Sequence, residues 1–190
     1  MRGGAWQTTI GVGLKGKTLG VIGLGRLGSE VARIGKAFGM QVVAWSHNLT
    51  ADVTGPLGVE LVDKETLFRT SDFVTVHLVL GARTRGLVGE AEFAAMKPAA
   101  FLINTARGPI VDEAALMAAL RTRRIAGAGL DVYDEEPLPV DHPMRRLDNV
   151  VLTPHLGYVT VENYREAYGE AVENIRSFLA GTPLRIIKTG

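Results

Sequence analysis

Short apolar runs alternate with amphipathic segments along most of the 190-residue chain. The runs lie at residues 18–22, 42–45, 73–80, 99–103, 125–130 and 150–152. Each is short, nearly continuous and partly β-branched, which is the pattern of strands buried on both faces of a parallel sheet. Amphipathic segments at 27–38, 64–70, 90–96 and 112–121 carry the helical period between them. Asp112 and Glu113 put negative charge at one helix start, and Arg121, Arg123 and Arg124 put positive charge near its end. Strand–helix alternation of this kind predicts right-handed crossovers and a doubly wound α/β sheet of Rossmann type. A last amphipathic segment, 161–180, stops at Gly181 and Pro183. It feeds no further strand, so it is expected to form a C-terminal helical arm that packs on something outside the sheet.

The sequence Gly23-Leu24-Gly25-Arg26-Leu27-Gly28 follows the first predicted strand and opens the first predicted helix. In a GxGxxG turn the first glycine permits the tight turn, the second lets the backbone approach a pyrophosphate, and the third lets helix and strand pack closely. The helix start then offers unpaired N–H groups and a positive dipole end to the phosphates. Alone, this motif is weak. At a strand–helix junction in an alternating α/β chain it points to a dinucleotide, with Gly23, Gly25, Arg26, Leu27 and Gly28 around the phosphates.

An NAD site usually closes its second strand with a carboxylate for the ribose 2′-hydroxyl, about 20 residues on. Here that strand runs into Ser46, His47 and Asn48. These can donate hydrogen bonds to a 2′-phosphate, but no arginine stands with them for a two-point phosphate contact. Both NAD and NADP therefore remain open at this point.

Composition narrows the class. Hydrophobic residues make up 46%, charged residues 22%, and the formal net charge is +1. There is no basic field to argue for nucleic acid or an anionic membrane as partner. No cysteine is present, which excludes disulfides and thiolate metal sites and suits a reducing cytoplasm. No apolar run reaches the roughly 18 residues of a membrane span, and the N-terminus lacks the apolar stretch of a signal peptide.

Four later segments look chemical: Asn104 to Gly108, Leu130 to Tyr133, Glu135-Glu136-Pro137, and Thr153 to Gly157. Oxidation of an alcohol carbon requires a base for the hydroxyl proton, and histidine suits that task near neutral pH. A carboxylate beside it would orient the ring and favour its protonated form. An arginine would hold a substrate carboxylate in a planar fork. Singly, a histidine after proline is more often a cap or surface residue, Arg-Gly a turn and Glu-Glu-Pro a solvated loop. Behind a well-placed glycine turn, the three together favour the chemical reading. Spacing alone does not separate Glu135 from Glu136.

These segments resemble the D-isomer-specific 2-hydroxyacid dehydrogenase family. The likeness is carried by GLGRLG at 23–28, by residues 77–87, by MKPAAFLINTARGPIVDEAAL from Met96, by GAGLDVYDEEPL from Gly127 and by TPHLGYVT from Thr153. It covers the chain from about Trp6 to Ile187. The resemblance implies that Arg107 binds the substrate carboxylate and carbonyl, that His155 is the acid/base, and that Glu136 is its partner. It also implies that Asp131 approaches the carboxamide end of the nicotinamide, that Thr105 and Ala106 line the nicotinamide pocket, and that His77 lines the cofactor cleft. Arg107, His155 and Gly157 count among the cofactor contacts as well. Ser46 stands where the family usually has an acidic residue.

Family members carry a further, substrate-binding domain ahead of a linker that Gly4-Ala5-Trp6 resembles. The expected organisation is thus a linker remnant over 1–14, a dinucleotide-binding domain over 15–158, and a helix and tail over 159–190. The expected activity is NAD(P)-dependent hydride transfer between a nicotinamide and a small 2-hydroxy or 2-keto acid, in a homodimer. The other class of reading is a non-catalytic dinucleotide-binding module.

Overall fold

In a computed structural model, residues 3–4, 6 and 10–187 are described. The linker reading of 1–14 falls in part outside them. Two compact units emerge, Met1–Pro154 and His155–Gly190.

The first unit is built on seven strands in the order β3-β2-β1-β4-β5-β6-β7, every adjacent pair parallel. They are β1 (Thr18–Ile22), β2 (Gln41–Trp45), β3 (Glu60–Leu61), β4 (Phe73–Val76), β5 (Phe101–Asn104), β6 (Gly127–Leu130) and β7 (Val150–Leu152). The order runs outward from β1 in one direction and from β4 in the other. The β1/β4 boundary is therefore the switch point where open α/β sheets bind ligands. Alternation along each strand divides the core. Leu19 and Val21 join Val42, Ala44 and Ala32 of α1 (Arg26–Ala37) in one cluster. Ile22, Val74, Val76, Leu102, Ala128 and Leu130 join a larger one. That cluster takes Leu67 and Phe68 from α3 (Lys64–Thr70), Phe93 from α4 (Glu90–Ala95), and Leu116 and Leu120 from α5 (Glu113–Arg121). Helices on both faces make the sheet doubly wound, as the apolar pattern predicts.

Local chemistry sets the helix ends. Asp63 Oδ1 accepts from the Thr66 N–H at 2.8 Å and Asp112 Oδ1 from the Ala115 N–H at 2.9 Å, each capping a helix. The Thr66 N–H and hydroxyl, both donating to Asp63, hold its carboxyl below the usual aspartate range.

Two expectations need correction. The run 73–80 is not one strand: β4 stops at Val76. Its last bond into the neighbouring strand is from His77 N–H to the Ile22 carbonyl, at 2.8 Å. Beyond Ile22 the chain turns away at Gly23, so 77–80 has no strand to pair with. The sequence also leaves out the short α2 (Ala51–Thr54) and the two-residue edge strand β3, whose residues are both exposed and so carry no apolar run.

The second unit consists of the segment from His155 and α6 (Val161–Leu179). Thr160 Oγ1 caps α6 by accepting from the Asn163 N–H at 3.2 Å. Gly181, with φ 74°, takes the left-handed turn just past the helix end, as the sequence predicts. Tyr158, Tyr164 and Tyr168 form a run of neighbouring rings, with centroids 6.3 and 5.6 Å apart.

Candidate active site

The parallel pairing puts Trp45, Ile22, Val76, Asn104, Leu130 and Leu152 on one line across the sheet, each the register partner of the next. All six strands run the same way, so the residue after each lies at one carboxyl edge. Those residues are Ser46, Gly23, His77, Thr105, Asp131 and Thr153. Five of the six are positions that the sequence assigns to cofactor binding.

The glycine turn has the geometry that a dinucleotide needs. Gly23 has φ 92°, and a β-carbon there would lie 2.8 Å from the His77 carbonyl oxygen. Any other residue would meet both backbone strain and a clash. A β-carbon on Gly28 would lie 2.0 Å from the Gly23 carbonyl oxygen, so the start of α1 packs directly on the turn. Gly25 differs, because nothing lies within 4 Å of its missing β-carbon. The fold therefore leaves space there. No side chain caps α1, and Arg26 and Leu27 at its first turn are exposed. Open space over uncapped helical N–H groups suits a pyrophosphate.

On one side of this turn, Gly23 N–H donates to the Trp45 carbonyl at 2.9 Å and ties it to the end of β2. Ser46 follows, half-buried, then the exposed His47, whose ring lies 4.9 Å from that of Trp45. On the other side stands His77. Its Nε2 is 2.9 Å from Thr75 Oγ1. Burial pushes its pKa below the ordinary histidine value, favouring the neutral ring.

At the end of β5, the buried Asn104 side chain ties down the next turn from both ends. Its Oδ1 accepts from the Ala106 N–H and its Nδ2 donates to the Arg107 carbonyl, each at 3.0 Å. Thr105 and Arg107 are exposed on that turn, and an Arg107 N–H donates to the Ala106 carbonyl at 2.6 Å. Gly108 is buried against the next segment, where a β-carbon would lie 2.0 Å from the Tyr133 carbonyl carbon.

At the end of β6, the buried Asp131 accepts from Thr153 Oγ1 at 2.5 Å. Glu136 Oε1 accepts from the Tyr133 N–H at 2.9 Å, and the Glu136–Pro137 peptide is cis. The structure thus distinguishes the two glutamates that spacing leaves equal: Glu136 closes the loop onto its own backbone. In the second unit, His155 has φ 54°, a left-handed conformation uncommon for a residue with a β-carbon, and Tyr158 meets its ring edge-on at 5.7 Å. Gly157 lies on the same segment.

Sequence reasoning placed Asn104 and Tyr133 at the ends of two chemical-looking segments but gave neither a role. A single amide closing the apolar run Phe-Leu-Ile-Asn was a visible signal for the first. Nothing in the spacing marks Tyr133. Among the described residues no His, Cys, Asp and Glu cluster could hold a metal ion.

Comparison with known proteins decides the family. Residues 1–157 match the D-isomer specific 2-hydroxyacid dehydrogenase, NAD binding domain. The chain belongs to this family. It is 47% identical over 172 residues to a glyoxylate reductase of Aeropyrum pernix, an alignment covering 90% of this chain and 51% of that protein. It superposes on a phosphoglycerate oxidoreductase from Vibrio cholerae with a TM-score of 0.90 at 35% identity, covering 95% of this chain and 59% of the other. A D-lactate dehydrogenase with NAD+ from Lactobacillus jensenii gives a TM-score of 0.81 at 32% identity, with 95% and 58% covered. The chain spans about half the length of the curated relatives it matches. The matched model is that family's NAD-binding domain, which supports NAD as the cofactor. No helix among the described residues is long and apolar enough to cross a membrane.

The contrast between Gly25 and Gly28 gives a direct test. Gly25→Ala adds a methyl that touches nothing in the protein, so the variant should fold, losing only about 0.5–1 kcal/mol in urea unfolding from alanine at a helix N-cap. NADH affinity, followed by calorimetric titration, should fall at least about tenfold, which corresponds to about 1.4 kcal/mol. Gly28→Ala should instead destabilise the fold. An unchanged NADH affinity in folded Gly25→Ala would mean that the pyrophosphate lies elsewhere.

Proposed function

We propose that this chain is the cofactor-binding and acid/base part of an NAD-dependent D-2-hydroxyacid dehydrogenase acting on small 2-keto and 2-hydroxy acids. The single line of strand ends that gathers Ser46, Gly23, His77, Thr105 and Asp131 at the switch point carries this reading. When bound, the nicotinamide supplies the two-electron step, taking a hydride from the hydroxy acid or returning one to the keto acid.

The chain's own residues supply the rest. Asp131, Thr105, Ala106 and His77 line the nicotinamide side. Arg107 holds the substrate carboxylate and polarises the carbonyl, a task suited to a planar guanidinium on a turn fixed by Asn104. His155 gives a proton to the carbonyl oxygen in reduction and takes it back in oxidation. Glu136 is the carboxylate that favours the protonated imidazole. A non-catalytic module is not favoured, because all three of these residues are retained alongside an organised Arg107 turn and Glu136 loop.

His155→Asn, in the natural full-length protein, should bind NADH normally and lose about 10²–10⁴-fold in glyoxylate turnover. Glu136→Gln should behave differently. Reduction needs the imidazole protonated, so activity is present at low pH and lost as pH rises. Removing the carboxylate charge makes the protonated ring less stable, and the loss should come at lower pH in Glu136→Gln, with a smaller change in the plateau. If Glu136→Gln and Glu135→Gln gave the same unshifted profile, the role of Glu136 would be refuted.

We further propose that selection between NADH and NADPH is weak, because Ser46, His47 and Asn48 offer neither a carboxylate for a ribose hydroxyl nor an arginine for a phosphate. Ser46→Asp should move the ratio of dissociation constants towards NADH. A ratio left unchanged would show that the ribose lies away from Ser46. The same reading includes a homodimer, supported by the exposed α6 positions Val172, Ile175, Phe178 and Leu179. Light scattering that gives the mass of a single chain removes that part.

A further inference from the structure

One residue makes backbone contacts to the Gly108 turn and to Glu136, and its buried side chain reaches the end of β7. Tyr133 is 7% exposed. Its carbonyl carbon is the atom that a β-carbon on Gly108 would strike, at 2.0 Å, so the residue after Arg107 packs directly on it. Its N–H donates to Glu136 Oε1 at 2.9 Å. Its hydroxyl is 2.8 Å from the carbonyl of Thr153, two residues ahead of His155.

The hydroxyl has one proton and two acceptors within reach, Thr153 O and Leu130 O at 3.2 Å. The Leu130 carbonyl already accepts from the Thr153 N–H at 2.9 Å. The proton therefore goes to Thr153 O, the shorter contact. Burial and the nearby Asp131 push the phenol above its ordinary value, so it remains a protonated donor through the neutral range. The strand β7 is short and half-exposed and stands at the sheet edge, so pairing alone holds its end weakly.

We infer that Tyr133 is a positioning residue for the reaction: its backbone holds the Gly108 turn and Glu136, and its hydroxyl holds the Thr153 carbonyl, the end of β7 from which the chain leads to His155. It touches neither substrate nor cofactor. This inference rests on the proposed roles of Arg107, Glu136 and His155. A misplacement of about 1 Å in a reacting group can lower rate up to 10²-fold without loss of binding. Loss of the hydroxyl should therefore appear in kcat.

The test uses Tyr133→Phe in the natural full-length protein, with glyoxylate and NADH as probes. The ring and its packing remain, so the variant should fold. Its kcat should fall between about 10- and 100-fold, while the NADH Kd and the glyoxylate KM stay within about threefold. Thr153→Val serves as the second variant. It removes the Oγ1 bond to Asp131 and leaves the carbonyl for Tyr133, so it should lose less kcat than Tyr133→Phe. A Tyr133→Phe protein that melts earlier but turns over at the unmodified rate, or that loses no more than Thr153→Val, overturns the inference. His155→Asn separates this from failure of the underlying reading. If that variant still turns over, the catalytic assignment is wrong and the inference falls with it. If it is inactive while Tyr133→Phe is unimpaired, the inference alone is wrong.

Discussion

Parallel register is the constraint on which the rest of this molecule depends. Strands that all run one way must all end at one edge. Here the pairing brings six of those ends to a common line from Trp45 to Leu152. Positions separated by more than 100 residues in the chain thereby become neighbours in series. A one-residue slip of any strand would move each side chain to the opposite face of the sheet and carry the terminal residue off the line. Apolar side chains on both sheet faces oppose such a slip. The hydrophobic core thus sets the position of polar groups that it does not contain.

Chemistry at this edge is organised by short polar bonds at the rim of that core. Asn104 and Asp131 are buried polar side chains, and each engages backbone or hydroxyl groups of a turn that leaves the sheet. A buried polar group without a partner would cost about 1–3 kcal/mol, so these bonds also specify which turn conformation is stable. Among the described residues no buried side-chain nitrogen or oxygen lacks a partner. Asn104 holds the Arg107 turn and the Tyr133 N–H holds the Glu136 side chain, an arrangement suited to positioning by a fixed frame.

Much of this was legible in the residues because period and position carry it. Runs buried on both faces show as apolar stretches, and β1, β7, α1 and α3 lie within a residue of where the pattern puts them. The glycine turn was legible because Gly23 and Gly28 answer separate steric demands, and the candidate segments stand out because they follow predicted strands. The limits have physical causes too. The run after Val76 is apolar, but pairing ends where the neighbouring strand turns at Gly23. β3 consists of two exposed residues and leaves no apolar trace. Glu135 and Glu136 are alike in sequence, and the bond from the Tyr133 N–H distinguishes Glu136. Tyr133 itself reads as one more apolar residue, since what matters about it is the carbonyl its hydroxyl meets, 20 residues along the chain.

The central claim is that one sheet edge binds the dinucleotide. It is tested most directly by amide chemical shifts of the isotope-labelled chain during titration with NADH. The amides of Gly23, Gly25, Ser46, His77, Thr105 and Asp131 should shift together and with one dissociation constant. Those at the opposite edge, at Thr18, Gln41, Phe101 and Gly127, should stay in place. Shifts confined to the opposite edge, or none at all at saturating NADH, would contradict the account.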